Sequence, residues 1–280
     1  MKKLKKILIY AVLTAAFVFA LFPVLYAVSS SFKTNSEIMT HPERIFSAYP
    51  TFDNYIQAWN SDSFRIGRML WNSIWYTSAS VVITLVSSAV CGYVFSRGIF
   101  KGKSLMFIVF SSLMFIDLGS ITIYPQFEIL SLLKLDRSLF GLLFMSLFGI
   151  PVVNMYLVRG FINALPREID EAAIIDGCTF TGIFFRIILP LLQPVMITIG
   201  MLAFQGSWNN YLMPAIFTMT RPEQQTLIVG LVSLKSTGAA ASSWNLMLAG
   251  TTITLIPVLI VYLFGNKYFV TGIASGAVKG

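Results

Sequence analysis

Apolar residues fall into six long runs along the chain, at about residues 7–29, 74–95, 105–124, 139–158, 184–204 and 247–264, separated by polar and charged stretches. Each run is about 20 residues, the length that carries a helix across a hydrocarbon core of about 30 Å. None holds a cluster of charges. The pattern predicts an all-α fold, a polytopic bundle of six membrane-spanning helices that forms a single transmembrane domain over residues 1–280. Three runs contain internal proline (Pro151, Pro190 with Pro194, and Pro257). A membrane helix tolerates this where neighbouring groups satisfy the carbonyls that proline leaves free.

The first run follows Lys2, Lys3, Lys5 and Lys6, and Ala27-Val28-Ser29 near its end resembles a cleavage site. Its apolar stretch is longer than the roughly 7 to 15 residues of a secretory leader's core, so it reads as an uncleaved first transmembrane helix.

Composition narrows the class. With 56% hydrophobic residues, 11% charged residues and a mean hydropathy of +0.76, the 280-residue chain is no soluble, disordered, collagenous or disulfide-rich secreted protein. Its net charge of +8 is unevenly placed. With the N-terminus inside, the inner segments hold twelve basic residues, among them Arg97, Lys101, Lys103, Arg159, Arg167 and Arg186, against four acidic ones, Glu168, Asp170, Glu171 and Asp176. The outer segments hold eight of each. This is the positive-inside asymmetry, which puts both termini in the cytoplasm and needs no nucleic acid to explain it.

Catalytic and metal chemistry find few candidates. Cys91 and Cys178 are far apart with no CxxC, and His41 is the only histidine, in a polar segment beside Pro42. No metal site or histidine-based triad is readable. Lys101-Gly102-Lys103-Ser104 ends like a phosphate-binding loop, but the first glycine of that pattern falls on Arg97 and no strand precedes it. It reads as a tight basic turn.

Two external segments are long, 30–72 and 207–246. The first carries Pro42, Pro50, Phe46, Tyr49, Phe52, Tyr55 and Trp59, which predicts a segment folded onto the outer surface. The second turns small and flexible at 236–243, a stretch with little side-chain bulk. In the second run, Ser80, Thr84, Ser88, Gly92 and Ser96 recur every four residues. Such a stripe admits close helix packing in lipid, within the subunit or at a dimer face.

The connection between runs four and five, residues 160–183, carries the most information. Pro166 is suited to a first helical turn, Glu168, Asp170 and Glu171 place negative charge at a helix N-terminus, and Gly177 supplies a C-terminal stop. A second helix is expected from about Thr179. On the short helix, Ile169, Ala172, Ala173 and Asp176 share one face by spacing, small enough to dock into a groove on another protein.

Here the chain resembles the membrane subunits of ATP-binding-cassette importers of the maltose-type carbohydrate branch. Their pattern of EAA, three residues, Gly, nine residues and I-x-LP is met by Glu171-Ala172-Ala173, Gly177, Ile187, Leu189 and Pro190, with Asp176 matching the sugar-branch form. The similarity extends to MYLVRGF at 155–161, WNNYLMP at 208–214 and the closing SGAVKG at 275–280. One departure is Leu118, which stands where relatives tend to have proline, next to Asp117.

The resemblance implies a non-catalytic permease subunit in a bacterial-type cytoplasmic membrane, forming half of the translocation path for a di- or oligosaccharide. It implies no cofactor in this chain, ATP and Mg belonging to two cytoplasmic ATPase subunits. The other implied partners are a second homologous permease and an external sugar-binding protein. Asp170, Glu171, Ala172, Ala173, Asp176 and Gly177 would couple to the ATPase. Ser236, Thr237, Gly238 and Ala239 would touch the binding protein. Polar or aromatic groups at membrane depth, Asp117, Tyr124, Asn154, Gln193, Gln205, Trp208 and Asn209, are candidates for the cargo path or for helix packing. The alternatives are a subunit of the same fold for a glycerol phosphate or polyol, and a secondary transporter working alone. The last would want an inverted repeat, which the sequence does not display.

Overall fold

A computed structural model describes residues 2–60, 64–116, 119–236 and 243–277. Among them the regular structure is helical, with no strand. In chain order the helices are α1 (Lys2–Ser30), α2 (Asn35–Thr40), α3 (Asp53–Asn60), α4 (Ile66–Arg97), α5 (Lys103–Ser112), α6 (Ile123–Leu132), α7 (Leu139–Phe148) and α8 (Val152–Asn163). They continue with α9 (Glu168–Ile175), α10 (Phe180–Ile183), α11 (Leu189–Leu191), α12 (Gln193–Trp208), α13 (Leu212–Thr218), α14 (Leu227–Ser236) and α15 (Trp244–Ala277).

Three of these, α1, α4 and α15, are long and apolar enough to cross a membrane unbroken. Two bent pairs are apolar and long enough only when their halves are taken together, α7 with α8 at 44° and the Phe180–Leu191 stretch with α12 at 76°. Proline accounts for both bends. Pro151 stands at the start of α8, and Pro190 and Pro194 flank the break at Leu192, each removing an N–H that an unbroken helix would use. Between α10 and α11 the chain widens into a π turn, Phe184–Ile188, ahead of Pro190. Pro257 leaves α15 continuous.

The third apolar run departs from the single helix its hydropathy suggests. α5 tightens into a 3-10 turn at Leu113–Phe115, a second 3-10 turn at Gly119–Thr122 follows, and α6 carries on to Leu132, beyond the expected end at residue 124.

The chain divides into two compact units. One comprises residues 1–70 and 226–257. Its core holds Ala58, Phe64, Ile66, Met69, Leu227 and Leu231, and its polar centre is Asn54, only 2% exposed. The Asn54 amide donates to Ser31 O at 2.7 Å and Lys33 O at 2.8 Å, and accepts from Asn245 Nδ2 at 2.7 Å. Phe32 meets Phe52 edge-on at 5.2 Å and Tyr55 at a tilt at 5.4 Å, while Phe46 and Tyr49 stay exposed. Buried Lys33 donates to Arg44 O and lies over the Tyr26 ring. The segment after α1 is thus folded by its own polar contacts as well as by its aromatics.

The second unit comprises residues 71–225 and 258–280. One of its cores gathers Tyr76, Leu130, Leu139, Leu142, Leu143 and Phe217. The other gathers Ala89, Tyr93, Val158, Ile162, Ala173, Ile183, Phe184 and Ile188 with Leu192 and Ile199. The small-residue stripe on α4 is turned into this unit: Ser88 is fully buried, and Ser80, Gly92 and Ser96 are buried. Gly92 lies so close to α8 that a Cβ there would sit 2.5 Å from Val158 Cγ1. The stripe packs within the subunit, which is the first of the two readings its spacing allows.

Candidate functional site

The short helix α9 begins at Glu168, so Pro166 lies two residues ahead of the first turn instead of within it. Glu168, Asp170 and Glu171 occupy that turn, where the helix dipole favours negative charge. The helix ends at Gly177, with φ +79°. Cys178 N donates to Ala173 O at 2.9 Å and Gly177 N to Ile174 O at 3.0 Å, the two backbone bonds of a Schellman motif. Thr179 then caps α10, its hydroxyl accepting from Gly182 N at 3.2 Å.

The face expected to dock is divided. Ala173 is 4% exposed and packs in the core with Tyr93, Val158, Ile162 and Phe184, and Ile169 is half-buried. Only Ala172 and Asp176 of that set are exposed. The outward face is instead Glu168, Glu171, Ala172 and Ile175, with Ile174 beside it. Ile175 is 86% exposed and Ile174 61%, an uncovered apolar tip with acids at its base. Spacing groups residues by face but does not say which face turns inward; here the small Ala173 is the one that fits under α4 and α8.

α9 is fastened to the C-terminal end of α4 by a set of polar contacts. Arg97 Nε and Asp170 Oδ2 are 2.7 Å apart, with side chains 9% and 15% exposed. The pair is in charge contact without an aligned N–H···O bond. Arg97 Nη2 also donates to Leu165 O at 3.1 Å. Around it, Ser96 Oγ donates to Asn163 Oδ1 at 2.6 Å, Arg159 Nε to Phe95 O at 3.1 Å, and Tyr93 OH to Phe180 O at 3.0 Å. Lys103 of the basic turn donates to Ser96 O at 2.9 Å and Gly98 O at 2.8 Å, capping the last carbonyls of α4. Arg159 further covers the Phe107 ring at 3.8 Å. Arg97 and Asp170 are 73 residues apart, so no local pattern in the sequence signals their pairing.

The cargo candidates are dispersed. Tyr124 is 72% exposed, Gln205 and Asn209 are exposed and Asn154 is half-buried. Asn209 N donates to Gln205 O at 3.2 Å at the end of α12, but among the described residues no side-chain hydrogen bond or ring contact links the four. Trp208 is 3% exposed, its ring stacks on Phe204 at 5.5 Å, and its Nε1 has no acceptor among the described residues. Packing against the subunit's own helix therefore occupies the ring that stacking on a sugar would need. Gln193 lines an apolar groove of about 470 Å³ with Leu85, Phe185, Met196 and Gly200 at the α11–α12 bend. Asp117 lies outside the described residues, as do Thr237, Gly238 and Ala239, while Ser236 ends α14.

Comparison with known proteins agrees with this architecture. Residues 73–274 match the family described as "Binding-protein-dependent transport system inner membrane component". The chain is 34% identical over 267 residues to the probable ABC transporter permease protein YurM of Bacillus subtilis (strain 168), spanning 92% of this chain and 84% of that protein. It is 30% identical over 278 residues to the arabinooligosaccharides transport system permease protein AraQ of Halalkalibacterium halodurans, spanning 96% of each. It is 31% identical over 281 residues to the galactooligosaccharides transport system permease protein GanQ of Bacillus subtilis (strain 168), spanning 98% of this chain and 96% of that one. In fold it is similar to a chain of a bacterial ABC transporter involved in the import of the acidic polysaccharide alginate, with TM-score 0.83 at 24% identity, covering 95% of this chain and 97% of that one.

Proposed function

The chain belongs to the binding-protein-dependent transport system inner membrane component family and is a non-catalytic, multi-pass permease subunit of an ABC transporter, and from that premise we propose that it imports a di- or oligosaccharide. Relatives spanning nearly its whole length are named for arabinooligosaccharide and galactooligosaccharide transport, which supports this cargo class.

In this reading six crossings, with both termini cytoplasmic, form half of a translocation path in a bacterial-type cytoplasmic membrane. A second homologous permease completes the path. Two cytoplasmic ATPase subunits hold ATP and Mg, and an external binding protein delivers the sugar. The external segment around Ser236 faces that protein. ATP binding closes the ATPase pair, and the docked helices carry the motion into the bundle, which alternates between inward-open and outward-open states.

The observation that carries the reading is the outward face of α9. Glu168, Glu171, Ala172 and Ile175 stand uncovered on a short helix whose other side is fixed to the core, and an apolar tip at 86% exposure wants a partner. Glu171→Lys reverses a charge in the middle of this face. The test is mass spectrometry of what accompanies the chain after gentle detergent extraction, for the wild type and Glu171→Lys. A second permease and an ATPase should accompany the wild type, with the ATPase lost from the variant. The chain alone in both samples, still competent for uptake, would refute the reading.

A further inference from the structure

Resting on the membrane topology proposed above, but not on the sugar cargo, we propose that a cationic cavity between the α6–α7 and α13–α14 connections binds the phosphate headgroup of an anionic phospholipid in the outer leaflet. The cavity has a volume of about 490 Å³ and is lined by Lys134, Leu135, Asp136, Arg137, Ser138, Phe140, Arg221 and Gln224.

Both walls are built. On one side Leu135 N donates to Leu130 O at 2.8 Å and Lys134 N to Ser131 O at 3.0 Å, and Leu135 packs against the core that holds Leu130, Leu139 and Phe217. On the other, the Asn72 amide donates to Glu223 O at 2.9 Å and Gln225 O at 3.0 Å, holding the turn that carries Arg221 and Gln224. Lys134 has φ +59°. It is the one non-glycine residue in the left-handed region among the described residues, at a helix end where glycine or asparagine is the usual occupant. A strained backbone that retains a lysine points to a use for its charge.

The charge balance favours an anion. Of the cavity's cations, Arg137 has a carboxylate neighbour, Asp136, at 3.5 Å; Lys134 and Arg221 have no ion pair among the described residues. Glu223 of the same turn is not in the lining. Three of the eight basic residues on a side with no net charge are therefore gathered here. The surroundings favour a lipid as the source of that anion. Leu132 is 82% exposed, Phe140 64% and Leu133 49%, so the cations stand beside apolar side chains at the ends of two membrane helices. That is the setting in which a headgroup and its acyl chains are held together.

The test counts lipid, not sugar, so its failure leaves the transport assignment standing. The chain is extracted in mild detergent with its accompanying subunits, from membranes containing phosphatidylglycerol and phosphatidylcholine, and retained lipid is counted by native mass spectrometry. The wild type should hold phosphatidylglycerol in preference to phosphatidylcholine, and Lys134→Gln with Arg221→Gln should weaken retention by about fivefold for each cation removed. Lys134→Gly relieves the left-handed backbone while removing a single charge, so it should fold at least as well and still retain less. Equal retention by wild type and variants would overturn the proposal. So would retention without headgroup preference. Displacement of the lipid by inorganic phosphate would assign the cavity to a free anion. Loss of binding-protein affinity with phosphatidylglycerol retained would assign it to an acidic protein surface.

Discussion

Arg97 at the end of α4 and Asp170 in the first turn of α9 lie 2.7 Å apart, both largely withdrawn from solvent. Removing one member strands the other's charge in a poorly hydrated site, at a cost of about 3 kcal/mol. Asp170→Asn and Arg97→Gln should each lower the unfolding temperature in detergent and reduce uptake more than they reduce ATPase association. The exchanged pair, Arg97→Asp with Asp170→Arg, should recover part of both losses. Single variants that unfold with the wild type would show that the contact holds nothing.

Gly177 separates backbone from packing effects. Its φ is +79°, yet a Cβ would meet nothing within 4 Å, so the penalty for a side chain is conformational alone. Gly177→Ala should cost about 1 kcal/mol, and Gly177→Asn less, because asparagine enters this region more easily. Gly177→Asp should insert normally but uncouple ATP hydrolysis from uptake. Thermal unfolding of the three variants, with uptake assayed alongside, checks the order.

At Gly92 the balance reverses, since φ is ordinary and space is absent. Gly92→Ala drives a methyl into Val158 and should destabilise the α4–α8 contact by about 1 to 3 kcal/mol. Adding Val158→Ala should relieve it. A double variant no more stable than Gly92→Ala would argue against this contact.

Glu37 sets an acid limit on the segment after α1. Its carboxylate accepts from Ala48 N and Ser47 Oγ, each at 2.7 Å, and these bonds hold its pKa below the ordinary 4.5. A group bound more tightly when ionised contributes its stability above pH 4.5 and loses it as pH falls through the lowered value. Hydrogen exchange at Ala48 should stay slow at neutral pH and speed up, beyond the intrinsic pH effect, at strongly acid pH. Glu37→Gln should remove that acid dependence.

How far the sequence foretold these features depended on whether the cause was local. The Gly177 stop and the start of a helix near Thr179 were legible because a helix end is decided by a few neighbouring residues. The stripe on α4 was legible as a packing surface because a four-residue repeat survives any tertiary arrangement. Its partner was not, since Val158 is 66 residues away from Gly92. The third run looked continuous because hydropathy sums residues without regard to backbone geometry, so the 3-10 turns around residues 113–122 left no mark in it. Ala173 was grouped with a docking face because alanine is small enough for either side; only its position under Tyr93 and Phe184 decides. Residue type alone leaves Trp208 open to cargo contact or to helix packing, and the structure adds that Phe204 one turn earlier stacks on its ring.

The π turn at Phe184–Ile188 acts as a dislocation in an otherwise regular screw. It accommodates an extra residue in one turn, and each α-helical residue corresponds to about 100° of rotation. Ile188 and Leu192 are therefore rotated by about that angle from where an unbroken helix begun at Phe180 would aim them, and both point into the core. A wheel drawn through this stretch assigns every later position to its neighbour's compass bearing. Deleting one residue between Phe184 and Ile188 would heal the dislocation and leave the same two side chains aimed into the core, whereas straightening the turn with no deletion would swing both away from it.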